Sequence, residues 1–160
     1  MHSNQLLLVA GALGILGLLI ISTNTATFQN LAVKLENRST LSTISIAQSL
    51  IEEIKTKSFD ENTLIGFQHS VNNLTVASSF GPEGESYPNF DDIDDYHNYS
   101  RTISTDDSNA ITAVVKVSYV NESQPEYTST TNTYLKKVTI ELTGGNLLQK
   151  ITLSRIFTCW

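Results

Sequence analysis

Charge is missing from the beginning of this sequence, where no Lys, Arg, Asp or Glu occurs before Lys34. Residues 6–21 are sixteen apolar residues in succession. As a helix they would rise about 24 Å, short of a hydrocarbon core of about 30 Å, and the uncharged residues 22–27 can extend the buried part. We therefore predict a transmembrane helix over residues 1–27. The alternative is a cleaved secretory signal, but no Lys or Arg precedes the apolar run and no strong A-x-A cleavage site follows it.

Cysteine and basic residues are scarce. Cys159 is the only cysteine, so an intrachain disulfide is excluded. We expect this thiol to pack as a small apolar group rather than to act as a nucleophile. Ten Lys and Arg oppose sixteen Asp and Glu, a formal net charge of −6, which gives no electrostatic support for nucleic-acid binding. Beyond the predicted membrane helix, about 100 residues remain for one soluble domain.

Catalytic motifs are also absent from the sequence. It contains no G-x-S-x-G, H-E-x-x-H, Walker or dinucleotide-binding glycine motif. His2, His69 and His97 are too scattered to predict a ligand cluster. His97 with Asp94 or Asp95 would supply a base and its orienting group, but no nucleophile accompanies them, so a solvated turn is the better interpretation. We therefore expect no enzyme activity, no cofactor and no small-molecule substrate.

Helix-breaking residues are rare in the first third of the chain. Proline is absent before Pro82 and glycine is absent from residues 18–65. From Phe28 onward the apolar residues recur at spacings of three, four and seven, which predicts an amphipathic helix over residues 28–57. Its weakest part is the Ser- and Thr-rich stretch 39–45. The predicted apolar stripe consists of Phe28, Leu31, Leu35, Ile44, Ala47, Leu50, Ile51 and Ile54.

The second half of the chain has the pattern of an antiparallel sheet. Turn-forming residues recur in residues 58–98, which we interpret as a connecting region. Over residues 99–160 apolar and polar residues alternate, which predicts roughly four antiparallel strands with a turn at residues 144–146. We expect an α+β fold, with a long N-terminal helix, membrane-embedded in its first half, packed against this sheet. The residues predicted to meet there are Leu50, Ile51 and Ile54 of the helix and Val115, Val117, Val138 and Ile140 of the sheet.

Four carboxylates stand within five residues, at Asp91, Asp92, Asp94 and Asp95. Hard cations such as Ca²⁺ bind six to eight oxygen ligands, so these residues are candidate calcium ligands. Their spacing does not match the EF-hand pattern, and an ordinary solvated acidic loop is the preferred interpretation. A third interpretation is that the loop presents negative charge to a Lys or Arg of a neighbouring subunit.

The order of these elements resembles that of a type IV pilin or pseudopilin. The resemblance is carried by the A-x-x-L-x-E-E-I stretch of residues 47–54, by Phe59-Asp60, and by the acidic segment of residues 90–97. These are similar to features of minor pilins, including those of mannose-sensitive haemagglutinin pili. The alternating strand of residues 115–119 and the Lys-Lys-Val-Thr-Ile strand of residues 136–140 also fit.

The resemblance implies a membrane-anchored structural or assembly subunit of a type IV pilus or a type II secretion-like system. Its N-terminal helix would contact membrane lipid and other pilin-like subunits. The implied location is the cell inner membrane, with a single pass and an extracytoplasmic pilin-like head over residues 28–160, and incorporation into a surface or periplasmic filament. Lys34 and Arg38 after the anchor favour the opposite orientation by charge count, but sizeable domains cross membranes largely regardless of charge.

Two features of the pilin pattern are missing, namely the basic leader and the acidic residue within the apolar run. The chain is therefore expected to be either an unprocessed pilin-like envelope protein or a member of a divergent branch. A different class of function is also open: a single-pass envelope binding protein whose head recognises a surface or a partner. A small hydrolase that uses the acidic loop is the weakest alternative.

Overall fold

The computed structural model describes residues 2–104, 110–144, 147 and 149–159 of the chain, and the side chain of His2 is not among the described groups. One α-helix, α1, extends over His2–Ile54 and continues without a break through the Ser- and Thr-rich stretch 39–45. The chain forms two units that are each compact: residues 1–39, the N-terminal unit, and residues 40–160, the C-terminal unit.

The N-terminal unit is helical throughout its described residues. Its threonines are compatible with an apolar environment, because each hydroxyl donates a hydrogen bond to a carbonyl one turn earlier in the helix. Thr23 Oγ1 lies 2.9 Å from Leu19 O, Thr25 Oγ1 lies 2.9 Å from Ile21 O, and Thr27 Oγ1 lies 2.8 Å from Thr23 O. These internal bonds support the prediction that the apolar segment extends beyond Ile21.

The C-terminal unit contains a four-stranded antiparallel sheet in the order β1-β2-β3-β4. The strands are β1 (Ser100–Ser104), β2 (Ala110–Tyr119), β3 (Leu135–Gly144) and β4 (Ile151–Thr158). Burial alternates along β2 and β3, as the period of two predicts, because successive side chains point to opposite faces. The predicted turn at residues 144–146 falls partly on residues 145 and 146, which lie outside the described residues.

The core of the C-terminal unit lies between the last turns of α1 and the sheet. Leu50, Ile51 and Ile54 are buried in the same cluster as Val115, Val117, Val138 and Ile140 of the sheet. The predicted α+β fold, with a long helix packed on an antiparallel sheet, is therefore confirmed.

Residues 58–98 contribute to this core rather than passing over it. They contain four short 3-10 helices, Glu61–Thr63, Val71–Asn73, Ala77–Ser79 and Asp94–Tyr96. Phe59, Leu74, Phe90, Ile93 and Tyr96 from this region are buried in the core. The segment therefore places its acidic residues next to the hydrophobic interior.

Candidate functional site

The apolar surface of the N-terminal unit is the first candidate site. Leu6, Leu13 and Ile21 expose 70%, 62% and 65% of their surface, whereas large apolar side chains of a soluble protein are usually buried. Among the described residues, one helix is long and apolar enough to cross a membrane, with a mean hydropathy of 2.5 over its most apolar window, and none of that window is buried. The length and composition of this helix fit a membrane span, and an N-terminal signal sequence would satisfy the same criteria.

Three glycines lie along this apolar helix at positions 11, 14 and 17. A Cβ atom placed on Gly11, Gly14 or Gly17 would meet no atom within 4 Å, apart from the neighbouring residues and the helix backbone. No packing within the described chain therefore requires glycine at these positions. Small residues on one face of a membrane helix allow the backbone of another helix to approach closely.

A buried lysine is the most unusual feature of the C-terminal unit. Lys136 is fully buried, because it shares the inward face of β3 with Val138 and Ile140. Its Nζ donates hydrogen bonds to Phe59 O at 2.7 Å and to Asp60 Oδ2 at 2.9 Å, and it forms a further ion pair with Asp94 Oδ1. All three charged side chains are completely shielded from solvent. We call Lys136, Asp60 and Asp94 the lysine centre.

Aromatic rings enclose the lysine centre. The ammonium of Lys136 lies 4.7 Å from the ring centroid of Phe59, 5.0 Å from that of Phe80 and 5.6 Å from that of Tyr119. Ring faces attract cations, so these contacts offset part of the cost of removing the ammonium from water. Because no part of the three charged side chains is exposed, the lysine centre fastens three segments of the chain together and offers no surface to a substrate.

The two carboxyls of the lysine centre differ in their pKa. Burial would raise the pKa of Asp60, but the Lys136 ammonium and the hydrogen bonds from Lys136 and Thr75 outweigh it and hold that pKa below its usual value. Burial raises the pKa of Asp94 even though Lys136 acts in the opposite direction. Asp60 is therefore the more acidic of the two carboxyls, and we assign it as the anion that pairs with Lys136.

The structure corrects the interpretation of the acidic segment as a solvated loop. Asp92, Asp94 and Asp95 are buried, and Asp91 is partly exposed. The segment folds on itself through its own backbone: Asp95 Oδ2 accepts the N–H groups of Asp91 (3.0 Å) and Asp92 (3.3 Å), and Asp92 Oδ1 accepts the N–H of Asp95 (3.0 Å). Three of the four carboxylates are thus held inside the protein, where they present no charge to a neighbouring subunit.

The four predicted metal ligands do not form one cluster. Asp94 pairs with Lys136, whereas Asp91 and Asp95 lie with Glu85, so that one carboxylate oxygen from each of the three residues lies within 4.8 Å of the others. We call Glu85, Asp91 and Asp95 the carboxylate triad. Sequence reasoning missed Glu85 because it lies outside the acidic run, across a loop that contains Pro88.

Burial and repulsion between neighbouring carboxyls raise the pKa values of Asp92 and Glu85. Burial, together with the nearby Asp94 carboxylate, raises the pKa of Asp92 to about 8. Burial and then the carboxyl of Asp95 raise the pKa of Glu85. Each of these groups lies close to another carboxyl, and the nearby like charge disfavours its ionised form.

The structure gives His97 and Cys159 roles in packing. His97 Nδ1 accepts the backbone N–H of Val117 at 3.2 Å, and its ring packs edge-on against Phe80 at a centroid distance of 5.8 Å. Cys159 is partly buried against the core, and burial raises the pKa of its thiol, which disfavours the nucleophilic thiolate.

Comparison with known proteins gives no match to the chain, whether with family models, with curated proteins or with solved structures. The structure by itself shows the general layout of pilin-like proteins, a long N-terminal helix packed on an antiparallel sheet.

Proposed function

We propose that this chain is a membrane-anchored, pilin-like structural subunit of a type IV pilus or a type II secretion-like system. The observation that carries the proposal is the apolar surface of the N-terminal unit. Side chains such as Leu7, Leu8 and Leu18 expose 70% or more of their surface along a helix with no charged residue before Lys34. Such a surface is stable only when lipid or other apolar helices cover it.

The pilin-like layout of the chain supports this proposal. The helix that begins at His2 is the same helix whose last turns supply Leu50 and Ile54 to the core. A single element therefore provides both the apolar surface and a structural part of the folded domain. In a subunit of an assembly, this arrangement joins helix–helix packing directly to a domain with its own core.

The proposed setting is the cell inner membrane, crossed once, with the C-terminal unit on the extracytoplasmic side and the apolar helix in contact with lipid and with other pilin-like subunits. The open space around Gly11, Gly14 and Gly17 supports close packing with a second helix. A surface or periplasmic filament is the proposed assembly.

Disulfide cross-linking tests the packing of this helix in membranes of the cells that produce the protein. In a Cys159→Ser background, Gly14→Cys places a thiol at the centre of the glycine face. Ala12→Cys is the matched control, because two residues correspond to about 200° around a helix. We expect oxidation to cross-link the Gly14→Cys chain to a second chain with an apolar N-terminal helix, and the Ala12→Cys chain much less.

Two results would contradict the proposal. The absence of cross-linked products in both variants would favour the alternative, a monomeric envelope protein whose C-terminal unit binds a surface or a partner. Equal cross-linking of both variants would indicate random collisions in the membrane instead of a defined helix–helix contact. Mass spectrometry of the cross-linked product identifies the second chain.

A further inference from the structure

We propose that the carboxylate triad of Glu85, Asp91 and Asp95 binds one divalent cation of the Ca²⁺ type. One oxygen from each residue lies within 4.8 Å of the other two. Ca²⁺ binds oxygen ligands at 2.3–2.6 Å, so two ligands on opposite sides of one ion are separated by at most about 5 Å. The three oxygens are therefore close enough together to surround a single ion.

Unpartnered oxygen atoms are the second observation that points to a ligand. Asp95 is 1% exposed, and its Oδ2 accepts two backbone N–H groups, but its Oδ1 is buried and has no hydrogen-bond partner. Asp91 Oδ1 and Glu85 Oε2 are likewise buried without a partner. A buried carboxylate oxygen without a donor is costly, and such atoms in folded proteins call for a bound ion or water.

The basic side chains nearby do not neutralise the triad. Lys136 is already shared between Asp60 and Asp94. Lys57, which follows the end of α1, donates through Nζ to the backbone carbonyl of Phe90. Among the described residues, no ion pair involves any of the three carboxylates of the triad. The neutralising charge must therefore come from a bound ion or from protons.

The donor set selects the type of cation. All three side chains offer carboxylate oxygen, and the triad includes no His or Cys, which excludes the nitrogen and sulfur ligands that Zn²⁺ prefers. Mg²⁺ demands a nearly regular octahedron of oxygens at about 2.0–2.1 Å and gives up its bound water reluctantly. Ca²⁺ accepts irregular sets of six to eight oxygens, so three carboxylates supplemented by backbone carbonyls and water suit it better.

Cation binding would fasten the acidic segment to the loop that carries Glu85. Asp91 also anchors the segment to the end of α1, because its carbonyl accepts the N–H of Ser58 at 3.0 Å. Ile93 donates its own N–H to Ser58 O at 3.0 Å. A cation in the triad would therefore stabilise the C-terminal unit, independently of whether the protein assembles through its membrane helix.

The proposal is tested with the full-length protein in detergent, first treated with EDTA and then dialysed. Calorimetric titration with CaCl₂ should give one site per chain. Thermal denaturation at a free Ca²⁺ concentration of about 100 times Kd should raise the Tm by roughly 5–10 °C. MgCl₂ at the same ionic strength should bind at least about tenfold more weakly, because Mg²⁺ requires nearly regular octahedral geometry and loses its bound water reluctantly.

Matched variants separate ion binding at the triad from general charge screening. Glu85→Gln and Asp91→Asn should each weaken Ca²⁺ binding at least about tenfold, since each removes one charged ligand. Glu126→Gln is the control, because Glu126 is an exposed carboxylate outside the triad, and this variant should bind Ca²⁺ like the unmodified protein. Asp95→Asn is unsuitable as a test, because Asp95 Oδ2 also accepts hydrogen bonds from the N–H groups of Asp91 and Asp92. Removal of this carboxylate would destabilise the fold whether or not an ion binds.

Either of two results would overturn the proposal. The first is an absence of both binding heat and a Ca²⁺-dependent Tm rise in the unmodified protein, which would leave protons as the groups that neutralise the triad. The second is Ca²⁺ binding that persists unchanged in both Glu85→Gln and Asp91→Asn, which would place the ion elsewhere.

Discussion

Lys136 is a fully buried lysine of the C-terminal unit. It holds Asp60, Asp94 and the carbonyl of Phe59 around one ammonium, out of contact with solvent. A buried ion pair contributes little net stability compared with apolar side chains of the same volume. Removal of one partner is different, because it leaves an unpaired charge inside the protein.

Lys136→Met should therefore destabilise the C-terminal unit by about 3–5 kcal/mol, as measured by chemical denaturation. Lys137→Met is the matched control, because the Nζ of the neighbouring Lys137 donates to the exposed carbonyl of Glu126 and pairs with no buried charge among the described residues. This variant should change the free energy of unfolding by less than about 1 kcal/mol. Lys136→Met combined with Asp60→Asn should recover part of the loss, because Asp60 is the anion that Lys136→Met leaves unpaired. Equal effects of the two single variants would show that Lys136 does not carry a buried charge.

The low pKa of Asp60 predicts a loss of stability in acid. A carboxyl whose pKa is lower in the folded than in the unfolded state stabilises the fold above its unfolded pKa, which is about 3.9 for Asp. That contribution disappears as the pH falls further, through the folded-state pKa. We expect the free energy of unfolding to decrease as the pH is lowered below about 4, and to decrease less steeply in Asp60→Asn.

The pH dependence of the unfolding free energy is best measured in 0.5 M NaCl. The carboxyls of the exposed Glu52 and the partly exposed Glu141 also have lowered pKa values, but salt screens such surface pairs far more than it screens a buried pair. Identical acid profiles of the unmodified protein and Asp60→Asn would contradict the assignment of Asp60 as the buried anion.

The sequence contains a signal for Lys136 that is recognisable only in retrospect. An even number of positions separates Lys136 from Val138, Ile140 and Leu142, so the period of two places all four on the buried face of β3. A lysine is rarely buried without a partner. Its partners, Asp60 and Asp94, lie 76 and 42 residues away in the chain, and the alternation of apolar residues does not reveal contacts at that distance.

At the scale of elements, the helix and the acidic segment differ in how far their sequences predict their structures. The spacing of Leu50, Ile51 and Ile54 predicts the buried face of α1, and the structure confirms it. The sequence predicts a solvated acidic segment, because charge normally indicates exposure. It is buried because Asp92 and Asp95 bond backbone N–H groups, an arrangement that depends on the local 3-10 turn and not on hydrophobic pattern.

The contact between α1 and the sheet can be tested by truncating the buried side chains. Leu50→Ala and Ile54→Ala should each cost about 2–5 kcal/mol of unfolding free energy, because Leu50 is 6% exposed and Ile54 is fully buried. Leu41→Ala in the same helix is the control, since Leu41 is 66% exposed and its truncation should have an effect below about 0.5 kcal/mol. Unchanged thermal midpoints for both core variants would show that the helix does not underlie the sheet.

At the scale of the whole molecule, the chain combines two units with opposite relations to water. The N-terminal unit exposes its apolar side chains, whereas the C-terminal unit buries its own around Val115, Val138 and Ile140. Composition alone predicts this contrast, because the charged residues begin only at Lys34. The pilin-like function depends in addition on the partners of the apolar helix, and those are a property of the assembly and not of one chain.

Membrane retention of the full-length chain is the most direct test of anchoring by residues 6–21. Membranes from cells that produce the protein are washed with alkaline carbonate, and the mass of the retained chain is measured. We predict that the chain remains in the membrane pellet with its apolar segment present, and that a variant without residues 1–27 is released. Recovery of the intact chain in the soluble fraction, or of a soluble chain cleaved after the apolar segment, would contradict membrane anchoring.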